Sequence, residues 1–299
     1  MKIVIHGGAG VINKDNLSET QIAEYHQVLK QALETGYGLL KQGKPAIDAV
    51  ESAVKVMEDS PLFNAGRGSV FTAENTIETD AAIMDGSTLE CGAVAAVQGV
   101  KNPVSLARKV MEQSPHVLLG GKGAEAFARK HNIAFEPQEY FYTDKRKEQL
   151  EKAKQKNQLN LDHSDDKYGT VGAVAIDQNG NLAAATSTGG MTNKQFGRIG
   201  DSPLIGAGTY ANDLVAVSCT GIGELFIKNV VAYDVAAQMK YLGVTAKEAA
   251  EKIIFETMPQ GSGGLIAIDK NGNIAMPFNT KGMFRGYADN EETKTFIWE

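Results

Sequence analysis

The sequence predicts an α+β protein folded as a four-layer αββα sandwich. Three observations predict it: two similar hairpins, helix pairs set between strand blocks, and 32 glycines among 299 residues. The hairpins span 173–188, turning at Asn179-Gly180, and 265–280, turning at Asn271-Gly272. Asn-Gly between apolar runs signals a tight antiparallel turn. Strand blocks that alternate with amphipathic helix pairs bury themselves as sheets covered by helices. The glycine content calls for tight turns and close backbone approaches.

Taken in order, residues 2–5 read as a short buried strand running into a His6-Gly-Gly-Ala-Gly10 loop. Ser18 and Gln21 have capping-box spacing, and periodic apolar positions carry a helix from there to Leu40. Pro45 suits the first turn of a second helix through Val56. Residues 78–84 and 92–97 look like strands, and Pro103 opens a helix to Glu112 with Asn102 as its cap. From 142 to 166 Lys, Glu, Gln and Asn dominate, which describes a solvated helix or loose linker of the kind that is commonly cut. Past the first hairpin, 214–218 is a strand, 225–241 and 246–257 are helices, and the second hairpin follows.

The net charge of −6, without basic stripes, argues against a nucleic-acid partner. No apolar stretch approaches a membrane span, and the run at the start is too short for a signal sequence. Cys91 and Cys219 stand far apart with no Cys-x-x-Cys, so they read as free thiols in a reducing compartment, and a cytoplasmic location is expected. Gly38 to Lys44 mimics a phosphate loop, but Pro45 stands where Ser or Thr is needed. The Asp177-Gln-Asn-Gly180 run mimics a calcium loop with its glycine too early, and five scattered histidines give no zinc spacing. His163, close to the polar segment's end, reads as an exposed linker residue.

The chemistry centres on Thr170, which follows Gly169 at the end of that polar segment and begins a strand-like run. A chain that cuts itself there exposes a threonine whose α-amine is a base for its own hydroxyl. Gly169 permits the strained backbone that an N-to-O acyl shift requires. Thr188 stands before Gly189-Gly190, Arg198 and Asp201 are three apart, and Thr220 precedes Gly221 and Gly223. Arg198 and Asp201 read either as a surface ion pair or as opposite charges facing one pocket, where they would grip a carboxylate and an ammonium. Alone, Asn64 reads as a turn asparagine.

Six motifs occur in fixed order: His-Gly-Gly-Ala-Gly at the start, Pro-Leu-Phe-Asn-Ala-Gly at 61–66, residues 80–86, Thr-Ser-Thr-Gly-Gly-Met-Thr-Asn at 186–193, Gly-Arg-Ile-Gly-Asp-Ser-Pro at 197–203, and Cys-Thr-Gly-Ile-Gly-Glu at 219–224. With Asp-Lys-Tyr-Gly-Thr-Val-Gly-Ala around Gly169-Thr170, the chain resembles the plant-type (type 2) asparaginase and isoaspartyl peptidase family of N-terminal nucleophile hydrolases.

The resemblance implies that the chain is cut between Gly169 and Thr170 into an alpha subunit (1–169) and a beta subunit (170–299) that stay together as one structural domain. It makes Thr170 the nucleophile, and Thr188 the hydroxyl that tunes it. Thr220 and Asn64 would form the oxyanion hole, Arg198 and Asp201 the clamp on an aspartyl group, and Gly221 and Gly223 backbone contacts to substrate. It implies β-aspartyl dipeptides and L-asparagine as small-molecule substrates, a dimer of alpha/beta heterodimers, and no organic cofactor. A structural sodium ion on main-chain carbonyls of the 57–67 loop is implied too, as is a part for the His6-Gly7-Gly8 loop in self-cleavage. Glycosylasparaginase is a related reading, and an uncut homologue that only binds amino acids is another. The chain departs from many members at Ile222, where they carry Thr, and in a short linker before Thr170.

Overall fold

A computed structural model describes residues 1–155 and 169–298. β1 (Lys2–Gly10) is followed by α1 (Glu19–Lys41), α2 (Ala46–Glu58) and the strands β2 (Thr79–Asp85) and β3 (Cys91–Val97). Next come α3 (Pro103–Gln113), β4 (Leu118–Gly120), α4 (Gly121–Lys130), α5 (Gln138–Phe141) and α6 (Asp144–Gln155). From Gly169 onward the chain forms β5 (Val171–Ile176), β6 (Leu182–Thr188), β7 (Thr209–Ala211) and β8 (Val215–Gly221). The helices α7 (Gly223–Asn229), α8 (Val231–Leu242) and α9 (Ala246–Lys252) precede β9 (Gly263–Asp269), β10 (Ile274–Ala275), β11 (Gly282–Ala288) and β12 (Thr293–Phe296).

Two sheets stack face to face. The larger runs β12-β11-β1-β5-β6-β2-β3-β4 and the smaller β10-β9-β8-β7. The alternation of side chains across each strand decides the layers. Ile3 and Ile5 of β1 face the core under α1 and α2, with Leu29, Leu33, Val50 and Val54. Val4, between them, joins Val174, Ile266 and Ile268 in the core between the sheets. A third core holds Val217, Val235 and Ile254 between the smaller sheet and α8 and α9. Both faces of the central strands are buried, which is why they read as unbroken apolar runs. The expected αββα order is therefore present. Strands from both sides of Gly169-Thr170 interleave in the larger sheet, where β1 lies between β11 and β5.

Several elements differ from expectation. The His6-Gly-Gly-Ala-Gly10 segment is not a loop but the second half of β1, paired with β11 through a bulge between His6 and Gly8. Asn102 takes the cap position of α3 without capping it. Its amide donates to Asp59, and the buried Glu58 carboxylate instead accepts from the Val104 N–H at 3.0 Å. The helix read over 225–241 is broken at Val230, which adopts left-handed backbone (φ 48°, ψ 46°). The N–H groups of Ala232 and Tyr233 there donate to the carbonyls of Ala207 and Gly206, which turns α8 onto that loop. In both hairpins an aspartate holds the turn: Asp177 and Asp269 accept from backbone N–H groups two and four residues on. The 142–166 segment is helical over Asp144–Gln155 as α6; residues 156–166, His163 included, lie outside the described residues.

Candidate active site

The site lies where β5 begins and β6 and β8 end. The register Val171↔Ser187 continues one step to set Thr170 beside Thr188, and the Thr170 hydroxyl donates to Thr188 Oγ1 at 3.1 Å. Thr188 Oγ1 also accepts from the Gly190 N–H at 3.0 Å. Both threonines are buried, at 7% and 3% exposure.

Gly8 explains why the junction fits here. Its φ is +108°, and a Cβ on it would lie 2.5 Å from the Gly169 nitrogen and 2.7 Å from the Gly169 carbonyl carbon. Only a residue without a side chain lets β1 pass that close. On the far side, a Cβ on Gly169 would meet Thr220 Oγ1 at 2.7 Å. Thr220, at the end of β8, is fully buried and accepts from the Ala9 N–H at 3.2 Å. Its hydroxyl thus sits against the Gly169 side of the junction, with its own proton free to aim at an oxygen there.

Asn64 braces the turn after β6. Its amide donates to the Gly190 carbonyl at 2.7 Å, its side-chain oxygen accepts from Val70 at 3.0 Å, and its carbonyl accepts from Gly189. One N–H of that amide is therefore committed, and one remains for a ligand.

Arg198 and Asp201 do not pair with each other. Arg198 donates Nε and Nη2 to the two carboxylate oxygens of Glu224, at 2.8 and 3.0 Å. Asp201 is 4% exposed, which rules out the surface ion pair, and one of its oxygens has no hydrogen-bond partner. Burial pushes its carboxyl up to about 7, against the pull of its own backbone N–H and of Arg198. The two residues approach across Gly223, where a Cβ would lie 2.7 Å from Arg198 Nη2 and 3.0 Å from Asp201 Oδ1. Gly221 closes β8 opposite Gly263.

Behind Thr170 lies a chain of polar groups that starts at His6, in the segment whose part in self-cleavage the resemblance implies, and runs on to Ser218 and Thr209, which sequence reasoning did not single out. His6 is fully buried; its Nδ1 lies 3.0 Å from the Thr170 carbonyl and its Nε2 2.9 Å from Ser218 Oγ. A carbonyl only accepts, so Nδ1 carries the proton and Nε2 accepts from Ser218. Ser218 contacts Thr186 at 2.7 Å, and Thr209 contacts Thr186 at 2.6 Å. Burial pushes His6 down to about 3, so the ring is neutral and acts as a fixed donor to the backbone of Thr170. Glu224 was also missed, although it ends the last motif; 26 residues separate it from Arg198.

This geometry can be set beside known proteins. The sequence model of a family described as asparaginase matches residues 1–297. The chain belongs to the asparaginase family. It is 54% identical to an isoaspartyl peptidase of Escherichia coli (strain K12), across 97% of this chain and 94% of that one. Identity to an isoaspartyl peptidase of Salmonella typhimurium is 52%, across 97% and 96% of the two chains. A plant-type L-asparaginase of Pyrococcus furiosus is 45% identical across 94% of each. Within this chain the Thr170–Thr188 pair and the Thr220 hydroxyl meet at Gly169-Thr170, and the Gly223 crossing follows three residues after Thr220. Ile222, the departure noted in the sequence, is half-buried and donates its N–H to the Ser262 carbonyl at 2.9 Å, so its backbone holds β8 to the segment before β9. Among the described residues, no helix is long and apolar enough to cross a membrane.

Proposed function

We propose that this chain is an autoprocessed threonine amidohydrolase. It cuts itself between Gly169 and Thr170, then hydrolyses β-aspartyl (isoaspartyl) dipeptides and L-asparagine to release aspartate. The hydrogen bond from Thr170 to Thr188, formed right beside a glycine junction pressed between Gly8 and Thr220, carries the reading.

In this reading the cut frees the α-amine of Thr170. Amines at a chain terminus titrate at about 7.7–8.0, close to the working pH of a general base. The amine takes the Thr170 hydroxyl proton, and Oγ1 attacks the β-carbonyl of substrate to give an acyl-enzyme ester and release ammonia or an amino acid. Thr220 and the spare N–H of Asn64 stabilise the tetrahedral oxyanion; removing one such donor costs about 2.7–4 kcal/mol of barrier stabilisation. Arg198 Nη1 receives the α-carboxylate and Asp201 the α-ammonium, while Gly221 and Gly223 leave room for the substrate backbone. A substrate held by both charges presents one face of its amide to Thr170. Water then hydrolyses the ester.

The segments 1–169 and 170–299 stay together in this reading because their strands interleave in one sheet, and two such units pair as a dimer. The free thiols of Cys91 and Cys219 favour a cytoplasmic setting. The reading includes a structural sodium ion on main-chain carbonyls of the 57–67 loop. The carbonyls of Glu58, Pro61 and Phe63 crowd the backbone at Gly66 and Gly68 and supply hard oxygen donors. Such an ion would hold the loop that carries Asn64 and take no part in the chemistry.

The test is Thr170→Ala, followed by a denaturing gel and assays of ammonia and amino-acid release. The reading expects one full-length band and no turnover. A cut or active variant contradicts it.

A further inference from the structure

Two groups with hydrogen-bonding capacity to spare lie on one face of the sheet beside Thr170. Thr188 Oγ1 receives hydrogen bonds from the Thr170 hydroxyl and the Gly190 N–H, yet among the described residues no acceptor takes the proton of Thr188 itself. Asp80 is fully buried. One carboxylate oxygen accepts from the Ala96 N–H at 2.7 Å, and the other has no donor. In the β2–β6 ladder Asp80 is the direct register partner of Thr188. Directly opposed residues of an antiparallel pair share a face, with Cβ atoms about 4.5–5.5 Å apart. Thr170, Thr188 and Asp80 therefore form a row across β5, β6 and β2: a hydroxyl without an acceptor beside a carboxylate oxygen without a donor.

We propose that Asp80 is the base for self-cleavage, reached from Thr170 through the Thr188 hydroxyl. The proposal rests on Thr170 being the self-cleaving nucleophile, and it fills a gap in that reading. Before the cut the nitrogen of Thr170 is an amide, so the α-amine that serves the mature enzyme does not yet exist. Something else must take the hydroxyl proton. At the Cβ spacing of about 4.5–5.5 Å that opposed residues keep, the step calls for a torsional change of the Asp80 side chain that brings its open oxygen to Thr188.

The step balances. The Oγ1–H bond of Thr170 breaks and its proton passes to Thr188 Oγ1, while the proton of Thr188 passes to Asp80. Thr170 Oγ1 bonds to the Gly169 carbonyl carbon. As the C–N bond to Thr170 breaks, Asp80 gives back its proton along the same hydroxyl to the departing nitrogen. Solvent water hydrolyses the resulting ester, leaving a carboxylate on Gly169 and restoring the hydroxyl of Thr170.

The charges around Asp80 suit this task. Burial pushes its carboxyl above the ordinary range, toward the strength a base needs, while Lys194, the Ala96 N–H and Arg198 pull it back. Glu78, just before β2, adds repulsion, and Asp80 in turn repels the buried Asp201. The two cations converge on the turn after β6: a Cβ on Gly190 would lie 3.3 Å from Lys194 Nζ and 3.6 Å from Arg198 Nη1. Lys194 is itself held by Glu78, through the carboxylate at 3.7 Å and the carbonyl at 3.3 Å.

The experiment follows self-cleavage of freshly purified full-length chain by gel and intact mass, with melting temperature alongside. Asp80→Asn keeps an acceptor for the Ala96 N–H but sets an amide where the open oxygen stood. Cleavage is expected to slow by about 100-fold or more, the low end of the general-base range, at an unchanged melting temperature. Asp80→Ala is the second variant, and formate is expected to speed its cleavage where formamide of the same size does not. Wild-type cleavage by Asp80→Asn overturns the proposal. So does an Asp80→Ala chain that responds equally to formate and formamide, or to neither. Thr170→Ala, run in parallel, separates the two ideas: if it stays whole while Asp80→Asn cleaves normally, Thr170 remains the nucleophile and only the role of Asp80 falls.

Discussion

Arg198 and Glu224 meet fork to fork, at 2.8 and 3.0 Å, so the guanidinium is held in one plane with Nη1 as its remaining corner. Hydrogen bonds to charged groups contribute about 1.5–3 kcal/mol. Glu224→Gln turns one acceptor into a donor facing another donor and lets that plane rotate. The expected outcome is a rise in KM for zwitterionic substrates of roughly tenfold, by the conversion of 1.4 kcal/mol per decade, with kcat changed far less. Self-cleavage, which needs no zwitterion clamp, proceeds at its usual rate. Steady-state kinetics and a cleavage time course check both halves.

Asp201 sets a pH dependence. Burial holds its carboxyl up to about 7, and only the ionised form attracts an ammonium group. The ratio kcat/KM reports groups in the free enzyme. It is therefore expected to rise with pH through a midpoint of about 7, below any contribution from the α-amine. Asp201→Asn should lose that limb and keep only the rise that belongs to the α-amine, so it approaches the wild type at pH 5.5 and falls well short of it at pH 8. A pH–rate series on both proteins checks it.

Gly8 is a steric gate for the junction. Alanine there puts a methyl 2.5 Å from the Gly169 nitrogen and forces a side chain onto φ +108°. Strain of this kind costs on the order of 1–3 kcal/mol, and the methyl displaces the peptide to be cut. The expected Gly8→Ala protein melts several degrees lower and persists as a full-length band. Gel electrophoresis after long incubation reads the second effect.

Glu58 links pH to stability. Burial raises its carboxyl to about 8 in the folded chain, whereas an unfolded glutamate releases its proton at about 4.3. Between those values the folded state binds more protons than the unfolded one, so stability falls as pH rises through the window. The melting temperature of the wild type should drop from pH 5 to pH 8. Glu58→Gln keeps an acceptor for the Val104 N–H and cannot ionise, so its curve should be flatter and higher at pH 8. Calorimetry across that range checks the sign.

What the sequence made legible was local. Ser18 with Gln21 forms the capping box that its spacing announced, and both Asn-Gly turns sit inside hairpins. Thr170 and Thr188 come together because a hairpin's register follows from its turn. What it concealed was set by distant partners. β11 hides in Gly-Met-Phe-Arg-Gly-Tyr-Ala, whose pattern looks mixed because Arg285 lies buried over the Phe278 ring at 4.6 Å. Asn102 has a cap's identity, yet a buried glutamate from α2 took the job. Val230 breaks a helix that propensity would continue, because two N–H groups found carbonyls on the Gly206–Ala207 loop. The surface ion pair that Arg198 and Asp201 offer in sequence does not form, because Arg198 bonds Glu224, 26 residues away.

The most direct test of the account is the intact mass of purified, active protein. Two fragments, the second beginning at Thr170, are predicted, and turnover should track their appearance. Full catalytic activity from a single unbroken 299-residue chain would contradict it.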